Sequence, residues 1–233
     1  MNALVVAKRE FETFLVSPTA YLIGAFFLFI TGIVFSFNVV AHHQATLSPV
    51  FEVAGITLIF FIPILMNHLL VREFQRGTLE LLMTSPVALW EIVLGKFLAA
   101  FLFLVVMVAP TIAYLFILIY FGQPDLPVAL VGYFGLFLFG GLLISIVVMS
   151  SAMCTNRLTA VILSVALAAF LWLIGRLGAV FNGSVGAILT YLSSQYHFLD
   201  FVVGVLTISN ITYFVSMIVA ILYLTTHILK IRL

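Results

Sequence analysis

"REFQRGTLELLMTSPVALWEIVLGK", residues 72–96, interrupts a chain that is otherwise strongly apolar. The 233-residue sequence holds nine basic and eight acidic side chains, and Arg72, Glu73, Arg76, Glu80, Glu91 and Lys96 gather about a third of them here. On either side the sequence turns greasy, with apolar runs at Val53–Val71 and Phe97–Tyr120. Each run is long enough to cross a bilayer, which takes roughly 20 apolar residues as a helix. The charged stretch is therefore a loop between two membrane spans.

Working outward, further runs lie at Ala20–Val40, Val128–Met153, Leu158–Ile174 and Ile211–Leu229. With 65% apolar and 7% charged residues the chain departs from soluble domains, where about a quarter of residues are charged. Backbone in hydrocarbon must satisfy its own hydrogen bonds, and strand-like alternation is absent, so helices are expected throughout. The fold class is an all-α membrane protein with six transmembrane helices in one domain, residues 1–233. A lone Cys154 leaves no internal disulfide and no cysteine cluster for zinc. The N-terminus has no small-residue cleavage site after a short apolar run, so no signal peptide is expected.

Orientation follows from the cations. With the N-terminus inside and six crossings, Lys8, Arg9, Arg72, Arg76, Lys96, Arg157, Lys230 and Arg232 fall on the cytoplasmic side, and Arg176 falls outside. That distribution obeys the positive-inside bias and puts both termini in the cytoplasm. Residues 177–207 carry little charge but hold Asn182, Ser193, Ser194 and Gln195, which suit lipid poorly. They are expected to form an outer-face re-entrant segment that enters and leaves on one side.

Serine–proline pairs at 17–18, 48–49 and 85–86 are expected to open helices, serine capping and proline occupying the first turn. Residues 1–16 form an amphipathic interfacial helix, with Leu4, Ala7, Phe11, Phe14 and Leu15 on one face and Lys8, Arg9, Glu12 and Thr13 on another. From Arg72 to Met83 about three helical turns are expected, with Leu79, Leu82 and Met83 as an apolar stripe. Pro63 and Pro110 lie where they can kink spans two and three.

Among the remaining polar residues, His42 and His43 have no spaced partner for a metal, and no metal site is expected. His197 and Asp200, three apart, share a helix face and serve a structural role in the outer segment. Arg176 either snorkels to headgroups or pairs with Asp200. Ser145, Ser150 and Ser151 have no histidine placed for nucleophilic catalysis, which argues against a hydrolase. A gradient-driven transporter or channel is the alternative function, yet spans one, three, four and five lack internal charge for coupling ions.

The stretch "REFQRGTLELLMTSP" resembles the cytoplasmic-loop motif R-E-x-x-x-G-T-x-E-x-L-x-x-S-P of type-2 exporter-class ABC transporter permeases. Tyr196–Phe214, "YHFLDFVVGVLTISNITYF", resembles the H-F-x-D-F-x-x-G-V segment of the gliding-motility-associated branch, close in architecture to nitrous-oxide-reductase-maturation permeases. The chain departs from that branch at Val203, where an arginine often precedes the glycine.

The resemblance implies that residues 1–16 are a connecting helix and residues 73–84 a coupling helix that docks into a separate ATPase. It assigns ATPase coupling to Arg72, Glu73, Arg76, Gly77, Thr78, Glu80 and Leu82, with Arg157 marking a second, shorter contact. It places Asn67, His68 and Trp172 along the translocation path. No G-x-x-x-x-G-K-[ST] occurs, since Gly95-Lys96 is followed by Phe97 and position 90 is Trp90, so the chain is no enzyme by itself. No cofactor is expected on this chain, ATP and Mg belonging to the partner. The implied partners are two ABC ATPase copies, a second permease chain as homodimer or heterodimer, an accessory extracytoplasmic subunit and the lipid bilayer, with no nucleic acid. The implied location is a bacterial inner membrane, and the implied output is export or force transmission.

Overall fold

Two serine–proline steps show how the helices begin. Helix α1 (Asn2–Val16) ends at Ser17, and α2 (Pro18–His42) starts on the proline, whose missing N–H costs nothing in a first turn. Helix α3 (Ser48–Met66) starts at the second pair, but the Ser48 hydroxyl does not cap it. It donates instead to the Val202 carbonyl at 2.9 Å. In this computed structural model residues 2–42, 46–66, 71, 88–122, 124–178 and 183–232 are described, so the third pair lies outside them.

Helix α4 (Leu89–Val108) passes through a 3₁₀ turn at Ala109–Thr111 into α5 (Ile112–Phe121). Pro110 sits in that turn, where it cannot donate to the α-helical ladder. The Thr111 hydroxyl takes up the slack, lying 2.7 Å from the Val108 carbonyl and 3.2 Å from the Tyr133 hydroxyl. Pro63, by contrast, is accommodated inside α3. The chain continues through α6 (Leu126–Met153), α7 (Arg157–Gly178), α8 (Ser184–Leu192), α9 (Ser194–Val202) and α10 (Ile208–Arg232).

Six of these stretches are long and apolar enough to cross a membrane, α4 and α5 counting as one. The expected spans match them, except that α4 begins at Leu89, well before Phe97. Lys96 is thus inside the helix. Helices α8 and α9 have nine residues each, about 14 Å of rise, and neither can cross. They form a hairpin that starts and finishes at the same end of the bundle. Arg232 at the far end of α10 donates to the Ala152 carbonyl at 2.8 Å, so α6 and α10 finish together on the opposite face, beside α1.

The core is built around α6, against which α3, α4, α7, α9 and α10 all pack. Lipid-embedded helices gain no hydrophobic force toward each other and associate by close packing, which small residues permit. Gly132 of α6 admits the Phe51 ring, Gly135 admits Phe201 and Gly140 admits Leu104. A β-carbon at Gly55 of α3 would stand 2.7 Å from the Phe198 ring. Phe198 and Phe201 are fully buried, so α9 acts as a wedge driven between α3, α6 and α7.

Candidate functional site

The loop-borne residues Arg72, Glu73, Arg76, Gly77, Thr78, Glu80 and Leu82, with Asn67 and His68, lie outside the described residues. What is described is the framework that receives them. The stretch is joined on one side to α3 and on the other to α4, which opens at Ala88 with its N–H donating to the Glu91 carboxylate at 3.2 Å. An acidic side chain in a first turn also suits the positive end of the helix dipole.

Helix α1 is clamped onto the first turns of α4. The Lys96 ammonium, 1% exposed, lies 3.0 Å from the Glu10 carboxylate, which is itself 15% exposed. Beside it Gly95 lets the backbones touch, since a β-carbon there would meet the Ala3 carbonyl oxygen at 2.7 Å and Val6 at 2.9 Å. Phe14 closes the far end against Phe103, ring centroids 5.4 Å apart. The buried face of α1 is therefore Ala7 and Phe14 with Glu10 beside them, while Leu4, expected on that face, is 68% exposed. Sequence reasoning took Lys96 as a loop cation that merely sets topology. Its partner is far upstream, and only the odd glutamate within an otherwise apolar helix face hinted at the pair.

Arg157 opens α7 on the α1 side of the bundle, capped by Asn156, whose side-chain oxygen accepts the Leu158 N–H at 3.2 Å. Its side chain lines a groove of about 460 Å³ together with Thr13, Ser17 and Thr19. Trp172 is 5% exposed and packs inside the subunit, 5.2 Å from the Phe139 ring and 5.8 Å from that of Phe198. A path along the outer surface of α7 would not meet it. That surface consists of Leu158, Ile162, Phe170, Leu173 and Leu177.

At the other end, His197 and Asp200 meet through a third residue. His197 Nδ1 lies 2.7 Å from Asn210 Oδ1, and Asn210 Nδ2 donates to Asp200 Oδ2 at 2.9 Å. His197 Nε2 faces the Tyr191 carbonyl at 2.8 Å, and the ring stacks on Tyr213 at 4.1 Å. Tyr213 in turn donates to the Leu192 carbonyl at 2.7 Å. The hairpin is thereby tied to the first turns of α10. Arg176 is exposed and makes no ion pair with Asp200. Sequence reasoning missed Asn210; a buried polar amide at the start of an apolar span was the available signal.

The rest of the "HFLDFVVGV" motif also has physical work in the wedge. Phe198 and Phe201 fill the gaps left by Gly55 and Gly135. Gly204, at φ +84°, ends α9 in a left-handed turn, with Val205 N–H donating to the Asp200 carbonyl at 2.8 Å and Gly204 N–H to Phe201 at 3.0 Å. Val203 is exposed beside that turn.

Hydroxyls within the spans are largely spent on their own helices. Ser145 donates to Leu142, Ser150 to Ile146, Ser164 to Ala160 and Thr225 to Ile221, at 2.7–2.9 Å.

A search of the curated proteins finds no significant match. The family model described as "ABC-2 family transporter protein" matches residues 4–231, nearly the whole sequence. With six membrane-length helices, an all-helical fold and this full-length match, the chain belongs to the ABC-2 family of transporter permeases.

Proposed function

We propose that this permease couples ATP hydrolysis in a separate ATPase subunit to export, or to force transmission, through residues 73–84. The observation that carries the reading is the α1–α4 clamp. A push on the stretch between α3 and α4 enters two spans at once, and the buried Lys96–Glu10 pair makes α1 travel with α4. Both spans pack on α6, so the displacement reaches the bundle centre as rigid-body motion and not as local bending. The ATPase is a partner chain because no phosphate-binding loop occurs here.

The face holding α1, Arg157 and the end of α10 is the cytoplasmic one in this reading, and the hairpin face is external. The turn before Arg157 gives the ATPase its second, shorter approach. The exposed apolar face of α7 beyond its first turn, at Ile162, Phe170, Leu173 and Leu177, remains for a second permease chain, identical or homologous. The self-bonded hydroxyls of the spans leave few polar ligands for a coupling ion, which disfavours a gradient-driven carrier.

Co-purification tests this. The tagged chain is expected to retain an ABC ATPase, and Glu80→Lys to lower its recovery about tenfold or more by reversing the charge at the contact, with the permease still monodisperse. Undiminished recovery after deletion of residues 73–84 overturns the docking assignment.

A further inference from the structure

We propose that the groove beside Arg157 is a binding site for an acidic phospholipid of the leaflet on the α1 side. The inference rests on the reading of that face as cytoplasmic only for naming the leaflet; the binding itself needs no sidedness.

Four helices, α1, α2, α3 and α7, build the groove. The α1–α2 junction supplies the hydroxyls of Thr13, Ser17 and Thr19, and α7 supplies the Arg157 guanidinium. The walls are apolar, with Leu22 from α2, Ile64 from the end of α3 and Val161 from α7. A second groove of about 540 Å³ adjoins it, sharing Thr13 and Ser17 and adding Arg9, Glu12 and Val16.

The chemistry is complementary to a lipid with an anionic head. Among the described residues, Arg157 makes no ion pair with a carboxylate. A guanidinium presents a planar fork of donors that matches phosphate oxygens. Ser17 and Thr19 hydroxyls lie 2.7 Å apart and bond to each other. One of the two donates in that bond, which leaves the other proton free for a phosphate oxygen. The Thr13 hydroxyl is engaged with the Arg9 carbonyl at 3.0 Å and can still accept. Glu12 lines only the adjoining groove, so the anion belongs at the Arg157 end, with Arg9 adding positive potential from the far side.

The apolar walls select a lipid over a soluble anion. Leu22, Ile64 and Val161 continue directly from the polar end into the span surfaces, giving an acyl chain a track along α2, α3 and α7. A basic pocket between helix ends at the membrane interface is suited to acidic headgroups.

The test uses the purified full-length chain, delipidated in detergent, and native mass spectrometry with dioleoyl-phosphatidylglycerol or dioleoyl-phosphatidylcholine. Wild type is expected to retain phosphatidylglycerol about tenfold better than phosphatidylcholine, because both present a phosphate but the choline cation cancels its charge and is repelled by Arg157 and Arg9. Arg157→Gln is expected to abolish the preference, Arg157→Lys to keep most of it, and Arg176→Gln, at the other end of the same helix, to leave it unchanged. Leu22→Trp, which fills the acyl side without altering charge, is expected to weaken phosphatidylglycerol retention. Glycerol 3-phosphate is expected not to compete. Equal retention of both lipids, an unaltered preference in Arg157→Gln, or competition by glycerol 3-phosphate at matched concentration overturns the proposal. Because detergent has no sides, a wrong topology leaves these results intact and shows up only in labelling of intact cells.

Discussion

His197 and Asn210 are joined at 2.7 Å, Nδ1 to Oδ1, and through that one amide the hairpin is fastened to the last span. The other end of the same side chain holds Asp200 at 2.9 Å. Asn210 is 3% exposed and His197 1%, so neither can replace a lost partner with bulk water. An asparagine that satisfies a ring nitrogen and a carboxylate together is a joint, not an ornament of the span.

Asn210→Leu therefore leaves the buried His197 and the half-buried Asp200 short of a partner and is expected to cost about 2 kcal/mol, since an unsatisfied buried group costs roughly 1–3 kcal/mol. Unfolding of the purified protein in mixed micelles by increasing detergent denaturant checks this. Asn210→Gln or a loss below about 1 kcal/mol in Asn210→Leu would differ in meaning: the first probes geometry, while the second contradicts the joint.

Lys96→Met is expected to destabilise by about 3 kcal/mol, because Glu10 then stays partly buried without its counter-charge. The double variant Lys96→Met with Glu10→Leu is expected to regain most of that stability, as apolar replacements of buried pairs often do. If the account of coupling is right, the double variant, which restores stability without the ion pair, still lowers ATP-driven output, and the two readouts separate.

Gly135→Leu is expected to cost about 1–3 kcal/mol by overpacking against Phe201, with the same measurement. Gly24→Ala provides the contrast, since a β-carbon there meets only Met107 at an ordinary 3.8 Å. A difference of sign or size between the two would show that the wedge, and not helix propensity, sets the cost.

Much of the bundle was legible because lipid imposes length and composition on every span. The runs around Phe29, Phe60, Leu142 and Leu222 could be read directly from hydropathy. Boundaries were harder where charge and helix overlap: Lys96 looks like the end of a loop but sits two turns inside α4, because burial against Glu10 removes the penalty that a lone ammonium would suffer. Leu4 misled in the other direction, since α1 docks through Gly95 and tilts a different face inward. The hairpin's polar character was readable, but its two short helices and the role of Asn210 depend on contacts between distant residues, which periodicity does not encode. Trp172 was nominated for the path by its span, and its neighbours Phe139 and Phe198 place it in the core.

The central claim is that an external motor grips the chain between α3 and α4 from the α1 face. A photoreactive amino acid placed at position 80, activated in living cells, is predicted to yield an adduct of the permease with an ABC ATPase subunit. The same group at position 188, on the exposed side of α8, is predicted to yield none. An ATPase adduct from position 188, with none from position 80, would contradict the account.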